Sequence, residues 1–159
     1  VEHDDAAGVV FPWPQDPRNR DEFLREMQTG SFLFVFADPA KDYWAGMVWL
    51  NHISGQSAMG HFMLFRHVRP RVNASVFGDW CVQKILWMRG ADGTFPLDVI
   101  FGLIPSNNIA AAMTVDRFCN RAFGPVPLDI YKSTDVGGLY VFTRKGREDD
   151  YEDHYVLQD

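Results

Sequence analysis

The chain has 159 residues, of which 47% are hydrophobic and 14% aromatic, and its formal net charge is −6 at pH 7. This length suits one well-formed core and is too short for two ordinary domains, so we predict a single domain over residues 1–159. The negative charge argues against a nucleic-acid-binding protein, which needs a broad basic face.

No apolar run reaches the roughly 20 residues of a membrane-spanning helix, and the first residues lack a charged-then-apolar leader. Cys81 and Cys119 lie in apolar, helix-like segments, which favours buried free thiols over a disulfide. The sequence contains no zinc-binding spacing, no Ser/His/Asp arrangement and no Walker loop. We therefore expect a cytoplasmic protein that binds neither a metal nor a membrane.

The first third of the chain predicts a helix followed by three antiparallel strands. Asp21 and Glu22 mark the first turn of a helix that ends at Gly30, and a brief strand at residues 9–11 precedes it. Three mostly apolar segments then follow, separated by polar turns. They are residues 31–36, 43–52 and 59–65.

A basic loop joins the third of these strands to a second helix. Five apolar residues recur there at three- and four-residue spacings, which predicts one buried helical stripe over residues 74–90. They are Phe77, Trp80, Cys81, Ile85 and Met88. The basic residues of the loop are Arg66, His67, Arg69 and Arg71. Cations beside the free N–H groups of a helix N-terminus predict a phosphate site, although a plain connector with solvated arginines remains the alternative.

Residues 97–103 are apolar except for Asp98 and Gly102, which predicts a strand buried on both faces. With the preceding strand and helix it forms a right-handed βαβ crossover. Ser106 is the expected N-cap of a further helix that reaches about residue 120.

The last elements predicted are a hairpin and a tail. Residues 128–131 and 139–143 read as hairpin strands connected across residues 135–138. We place the core at about residues 20–144, followed by an acidic, frayed tail at residues 145–159.

Residues 59–74 resemble, without a gap, the fourth strand and the pyrophosphate-binding loop of the GNAT superfamily, the acyl-CoA-dependent N-acyltransferases. The family's loop motif is Gln/Arg-x-x-Gly-x-Gly/Ala. Arg69 and Ala74 match its two ends, whereas Val72 replaces the first Gly. The resemblance covers roughly residues 20–144.

A second match lies at the start of the third predicted helix, where the family has an Asn followed three residues later by Ala. Asn107 with Ala110 and Asn108 with Ala111 both fit this spacing. We prefer Asn108.

The resemblance implies an α/β (α+β) fold with a mixed, mostly antiparallel sheet and helices on both faces. A central parallel pair of strands is expected to splay around a cofactor cleft. Acetyl-CoA or another acyl-CoA would be the co-substrate. The resemblance places its pantetheine arm on the backbone of Leu64, Phe65, Arg66 and His67, with Asn108 on the far side. It places the diphosphate on the loop that carries Arg69, Arg71, Val72, Asn73 and Ala74.

Acyl transfer to an amine requires a base for the amine and an acid for the leaving thiolate. The family's usual acid, a Tyr seven residues after the Asn, falls on Val115 in the preferred register and on Thr114 in the other. Either another group such as Tyr131 or Cys119 serves as the acid, or the chemistry is slow or absent. His61 and His52 are the candidate bases, because imidazole titrates near neutral pH.

Two functions are therefore open. The first is an N-acyltransferase that acts on a small-molecule or protein amine. The second is a GNAT-like binding or assembly module without catalysis, of the kind that phages and prophages encode.

Overall fold

The structure is a computed structural model that describes residues 20–29, 31–38, 43–127 and 136–151. Within these ranges the helices and strands are α1 (Arg20–Thr29), β1 (Phe32–Asp38), β2 (Tyr43–Ser54), β3 (Ser57–Leu64), α2 (Ala74–Leu86), β4 (Val99–Pro105), α3 (Ile109–Val115), β5 (Arg121–Pro127) and β6 (Val136–Thr143). Two short 3₁₀ turns lie at Arg69–Arg71 and Glu148–Tyr151. The strands predicted at residues 9–11 and 128–131 fall outside the described residues.

The strands form one six-stranded sheet in the order β1-β2-β3-β4-β6-β5. Every neighbouring pair is antiparallel except β3 and β4, which are parallel. The segment from β3 through α2 to β4 is thus the predicted crossover unit. The prediction of a mixed, mostly antiparallel sheet with a central parallel pair is confirmed.

The parallel pair separates soon after it forms. Backbone pairing joins Ser57–Met59 only to Val99–Phe101, although β3 continues to Leu64 and β4 to Pro105. Gly60 stands at the point of separation, where a Cβ atom would come within 2.6 Å of the Ile100 side chain. Beyond this close approach the two strands diverge and leave a wedge-shaped gap in the middle of the sheet, as predicted.

One face of the sheet carries the main core. Four residues of α2 on one helical stripe are buried against it: Phe77, Cys81, Val82 and Ile85. Their partners on the strands include Val48, Leu50, Ile100 and Phe142, and α3 packs on the same cluster through Ala112 and Val115. Burying one such large apolar side chain contributes ~1.5–3 kcal/mol, so this layer is the main support of the fold. On the opposite face Met47, Trp49 and Met63 are also buried.

The predicted second helix is too long by one turn. The helix ends at Leu86, and Trp87 is its C-cap, whose backbone N–H still donates to Gln83 O as in the helix itself. Met88, which we expected in the buried stripe, is 44% exposed. No helix in the described ranges is long and apolar enough to cross a membrane.

Helix α3 starts later and ends earlier than predicted. Its N-cap is Asn108 rather than Ser106, because Asn108 Oδ1 accepts the N–H of Ala111 at 3.2 Å. The helix ends at Val115.

Strand β5 was missed because Gly124-Pro125 and Pro127 resemble chain breaks. It pairs with β6 at the edge of the sheet, and its register shifts between Phe123 and Val126. Prolines are tolerated at an edge because fewer of its N–H groups must join a ladder.

Residues 145–151 pack on the domain, so the expectation of a frayed segment is wrong for this stretch. The indole N–H of Trp87 donates to Lys145 O at 3.0 Å. Arg89 forms an ion pair with Glu148 at 2.7 Å, and the turn Glu148–Tyr151 contacts α2.

Gln83 links this segment to the sheet from a completely buried position. Its Nε2 donates to Thr143 O at 2.9 Å, and its Oε1 accepts from Lys145 N at 2.8 Å. A single buried amide therefore satisfies one backbone group at the end of β6 and one just after it.

We predict that Gln83→Leu lowers the free energy of unfolding by about 2–4 kcal/mol, because both backbone partners lose their hydrogen bonds in a buried place. Chemical denaturation measures this change. Gln56→Leu is the matched control, since Gln56 is exposed and its side chain makes one hydrogen bond, from Nε2 to Phe95 O. The control should change stability by less than about 0.5 kcal/mol. Equal effects of the two substitutions would contradict the role of Gln83.

Candidate functional site

The gap between β3 and β4 opens into a cleft of about 480 Å³. Its walls are the diverging strand ends, the start of α2, helix α3 and the inward face of β6. The described residues that border it are Val48, Gly60, His61, Phe62, Met63, Leu64, Arg69, Ala74, Val82, Ile100, Gly102, Leu103, Ile104, Pro105, Asn108, Ala110, Ala111, Thr114, Val115, Phe118, Tyr140 and Phe142. None of these is acidic, so the cleft suits an apolar chain with amide groups better than a cation.

Residues of β3 whose side chains lie on opposite faces of the sheet border the cleft. Side chains alternate along β3, so Phe62 and Leu64 lie on the α2 side while His61 and Met63 lie on the opposite side. All four border the cleft.

Strand parity determines which backbone groups of β3 face the gap. Gln56 O accepts the N–H of Val99 in β4, so Gln56 faces β4. Phe62 and Leu64 share the parity of Gln56 and turn their backbone groups to the gap. Leu64 was predicted from the sequence to face a ligand and Phe62 was not, although the period-two alternation of the strand gives both once the pairing of Gln56 is known.

Phe65 does not have this orientation. Its N–H donates to Ala45 O of β2 at 3.0 Å, and its carbonyl accepts the N–H groups of Val68 and Arg69 at 3.0 and 3.3 Å. Phe65 therefore uses its backbone groups inside the protein, and the prediction that they face a ligand is corrected.

Arg69 borders the mouth of the cleft. Its Nε donates to Leu64 O at 3.0 Å, which folds the guanidinium back along the end of β3. Arg66 and His67 are exposed, and the His67 ring stacks on Phe65 with ring centroids 6.2 Å apart. The side chain of Arg71 lies outside the described part of the chain. Of the predicted basic residues with described side chains, only Arg69 borders the cleft.

The N-terminus of α2 is already capped. Asn73 Oδ1 accepts the N–H groups of Ser75 and Val76 at 3.1 and 3.3 Å, while Ala74 borders the cleft. The expectation that these N–H groups are free is therefore wrong for Ser75 and Val76. Any anion bound there must displace the Asn73 side chain.

Val72 holds an ordinary extended conformation, with φ −130° and ψ 147°. The family's Gly is thus not needed here for an unusual backbone angle, and Val72 introduces no backbone strain. Its side chain packs against the main core, so the difference from the family is one of bulk near the loop.

Asn108 borders the cleft opposite β3 and caps α3 through its Oδ1. This leaves the side-chain Nδ2 as the group with which Asn108 can donate to a ligand. Asn107, the other candidate, is exposed.

The position of the family's helix tyrosine is occupied by residues with little acid chemistry. Val115 borders the cleft, and the hydroxyl of neighbouring Thr114 donates back to Ala110 O at 2.8 Å. Cys119 is half-buried and is not among the described residues that border the cleft. Tyr131 lies outside the described residues.

Tyr140 on β6 borders the same cleft and was not singled out in the sequence. It lies on the same face of β6 as Gly138 and Phe142, because side chains two residues apart on a strand share a face. A tyrosine that follows a glycine by two residues on a predicted strand is the sequence signal that could have found it.

His61 lies in a polar and aromatic cluster on the far face. Its ring stacks on Trp49 with centroids 4.9 Å apart, and its Nε2 lies 3.1 Å from Asn51 Oδ1. Burial, followed by the charge of His52, lowers the pKa of His61 from 6.5 to about 4. His61 is therefore neutral at pH 7. It can accept a proton there, but only as a weak base.

His52 is exposed, in the irregular part of β2 where the register with β3 shifts between Asn51 and Ser54. Its φ is +47°, an uncommon value for a residue other than Gly. His52 is not among the described residues that border the cleft. Of the two predicted bases, only His61 does.

No protein-family model and no curated protein matches the sequence. Solved structures do match. The spermidine N-acetyltransferase SpeG of Vibrio cholerae in complex with CoA and spermine has a TM-score of 0.60 at 15% identity, covering 82% of this chain and 80% of that chain. A point mutant of the same enzyme gives 0.57 at 14% identity, with coverage of 87% and 80%. A chimera of that enzyme with hSSAT gives 0.59 at 13% identity, with coverage of 93% and 90%. The chain thus has the GNAT-like α/β fold that its sequence predicted.

The lowered pKa of His61 predicts a loss of stability in acid. The unfolded chain takes up a proton near pH 6.5 and the folded protein only near pH 4, so the unfolded state binds more protons between these values. Stability from this group is complete above pH 6.5 and declines by about 3 kcal/mol as the pH falls to 4.

The measurement is the free energy of unfolding at pH 7 and pH 4 for the native protein and for His61→Gln. The variant should show a clearly smaller decline, because glutamine does not titrate. His52→Gln, an exposed change on the adjacent strand, should keep most of the decline. If His61→Gln and the native protein decline equally, His61 is not held neutral by the fold.

Proposed function

We propose that the protein is an N-acyltransferase that transfers an acetyl or other acyl group from acyl-CoA to a small amine. The observation that carries the proposal is the cleft between β3 and β4. Arg69, the start of α2 and His61 of β3 all border it. Structural neighbours with this fold are spermidine N-acetyltransferases, and one of them was solved with CoA and spermine.

The donor would lie along the gap as an added strand, which is a common way to bind an extended chain. The gap-facing backbone of Phe62 and Leu64 and the Nδ2 of Asn108 would meet the amides of the pantetheine arm. Arg69, together with the positive charge of Arg71, would bind the diphosphate, because guanidinium groups pair well with phosphate oxygens.

The acceptor would approach from the face that holds His61. An amine must lose its proton before it attacks a thioester. His61 is neutral at pH 7 and so has a nitrogen lone pair to offer, either directly or through a water molecule. Because its pKa is only about 4, His61 would act mainly by orienting an amine that is already neutral.

The second candidate is a binding or assembly module that keeps the fold without catalysis. It is favoured by Val72 in the loop, by Val115 at the usual acid position, and by the cap that Asn73 places on α2. The two functions differ in one observable. The enzyme releases free CoA thiol in proportion to added amine, whereas the module does not.

We predict that acetyl-CoA binds and that Arg69→Ala weakens binding about tenfold, because one charge-assisted contact to the diphosphate is lost. Isothermal titration calorimetry measures the Kd. Arg147→Ala is the matched control, since it removes the same charge in the segment that packs near the C-terminal end of α2. Its Kd should stay within about twofold of the native value.

Thiol release with a panel of amines that includes spermidine then tests the reaction itself. A folded protein that binds no acetyl-CoA at millimolar concentration would refute the proposal. Binding without thiol release for any amine would leave the module as the function.

The occupied cap of α2 gives a second prediction. If the diphosphate uses the N–H groups of Ser75 and Val76, it must displace the Asn73 side chain. Asn73→Gly removes this competitor, and glycine at an N-cap costs only a few tenths of a kcal/mol. Acetyl-CoA should then bind about fivefold more tightly, which corresponds to ~1 kcal/mol.

The comparison variant is Asn108→Gly, the same change at the cap of α3, which should weaken binding because the Nδ2 donor is lost. Titration calorimetry of both variants decides the point. Unchanged or weaker binding by Asn73→Gly would mean that the diphosphate does not use these two N–H groups.

A further inference from the structure

Tyr140 is the one phenol among the described residues that border the cleft. It lies on β6 directly opposite Gly102 of β4 and is 9% exposed. Gly102, Asn108 and Val115 border the same cleft. Tyr140 therefore borders the gap on the β6 side, across from the end of β3.

The missing side chain of Gly138 fixes the direction of the Tyr140 ring. A Cβ atom at Gly138 would lie 2.7 Å from Tyr140 Cε2 and 3.0 Å from its Oη, so the ring lies across this glycine. Gly138 pairs with Ile104, near the C-terminal end of β4. The hydroxyl thus points toward the part of β4 that has separated from β3.

The hydroxyl of Tyr140 is available to a ligand. Across the described ranges, no hydrogen bond involves its Oη, and this oxygen is not fully enclosed by protein. Burial, and to a lesser extent the charges of Asp116 and Cys119, raise the pKa of Tyr140. The phenol is therefore protonated at neutral pH and acts as a donor.

Other described groups near the position of the family's acid are poor donors. Val115 has no titratable proton, and the Thr114 hydroxyl is engaged with Ala110 O. The thiol of Cys119 lies 3.9 Å from Asp116 O, and its pKa is raised by burial. Among the described residues, Tyr140 alone combines a border position, a free hydroxyl and a proton.

We infer that Tyr140 is the general acid that protonates the leaving thiolate of CoA, an inference that rests on the proposed acyl transfer. The amine nitrogen forms the new C–N bond, and the C–S bond breaks with its electron pair on sulfur. Tyr140 Oη gives its proton to that sulfur. The amine nitrogen releases one proton to solvent, and the tyrosinate takes one back. The products are an amide and CoA with a free thiol.

The first test needs no acceptor. A phenol that donates to sulfur stabilises the thiolate form, so it lowers the pKa of the thiol of bound CoA. We measure this pKa by the ultraviolet absorbance of the thiolate as a function of pH, with CoA at saturation. Tyr140→Phe should raise it by about one unit. Tyr151→Phe removes a phenol on the turn after β6, away from the cleft lining, and should leave it unchanged.

The second test uses turnover with an amine that the native protein accepts. Tyr140→Phe should lower kcat about 100-fold while the KM for acetyl-CoA, the Kd of CoA and the melting temperature stay near their native values. Tyr151→Phe should keep kcat. If the native protein turns over and Tyr140→Phe does so equally well with the same thiol pKa, the role of Tyr140 is refuted and the acyltransferase stands. If the native protein binds no CoA, the proposed function fails and the role of Tyr140 fails with it.

Discussion

Parallel pairing between β3 and β4 stops after three residues on each strand, and the rest of the structure is arranged around this limit. Backbone N–H and C=O groups in a protein interior need partners, so strand ends that separate must be satisfied by something else. Arg69 reaches back to Leu64 O, and the caps of α2 and α3 stand on either side of the opening. A gap between two separating strand backbones is suited to a ligand that has amides of its own.

Most of the architecture could be predicted because short stretches of neighbouring residues determine it. The apolar stripe of α2, the apolar run of β4 and the basic loop between β3 and α2 each use a few neighbouring residues, and together they define the crossover. The run in β4 is only partly buried, not buried on both faces as predicted. Strand β5 was missed for the opposite reason. Its prolines are local signals of a break, and only its edge position, which is a property of the whole sheet, makes them acceptable.

The candidate site was less predictable because it depends on which side chains and backbone groups point toward the cleft. The order of residues in the sequence does not give these directions. The sequence named Arg69, Ala74 and Asn108, and all three border the cleft. The sequence also pointed to Phe65, but the backbone of Phe65 faces β2. Gln56 faces β4, so every second residue after it along β3 also faces the β4 side, and Phe65 is not one of these. Tyr140 reaches the cleft from a strand about 30 residues further along the chain than α3, and no spacing rule connects the two.

The two prolines of β5 also affect what can join the sheet. An edge strand normally offers a row of N–H and C=O groups to which a strand of another molecule can add, which is a common route to aggregation. Pro125 and Pro127 carry no N–H, and the shifted register between Phe123 and Val126 interrupts the straight edge. The same prolines that made β5 hard to predict from the sequence thus make the β5 edge of the sheet a poor template for a second chain.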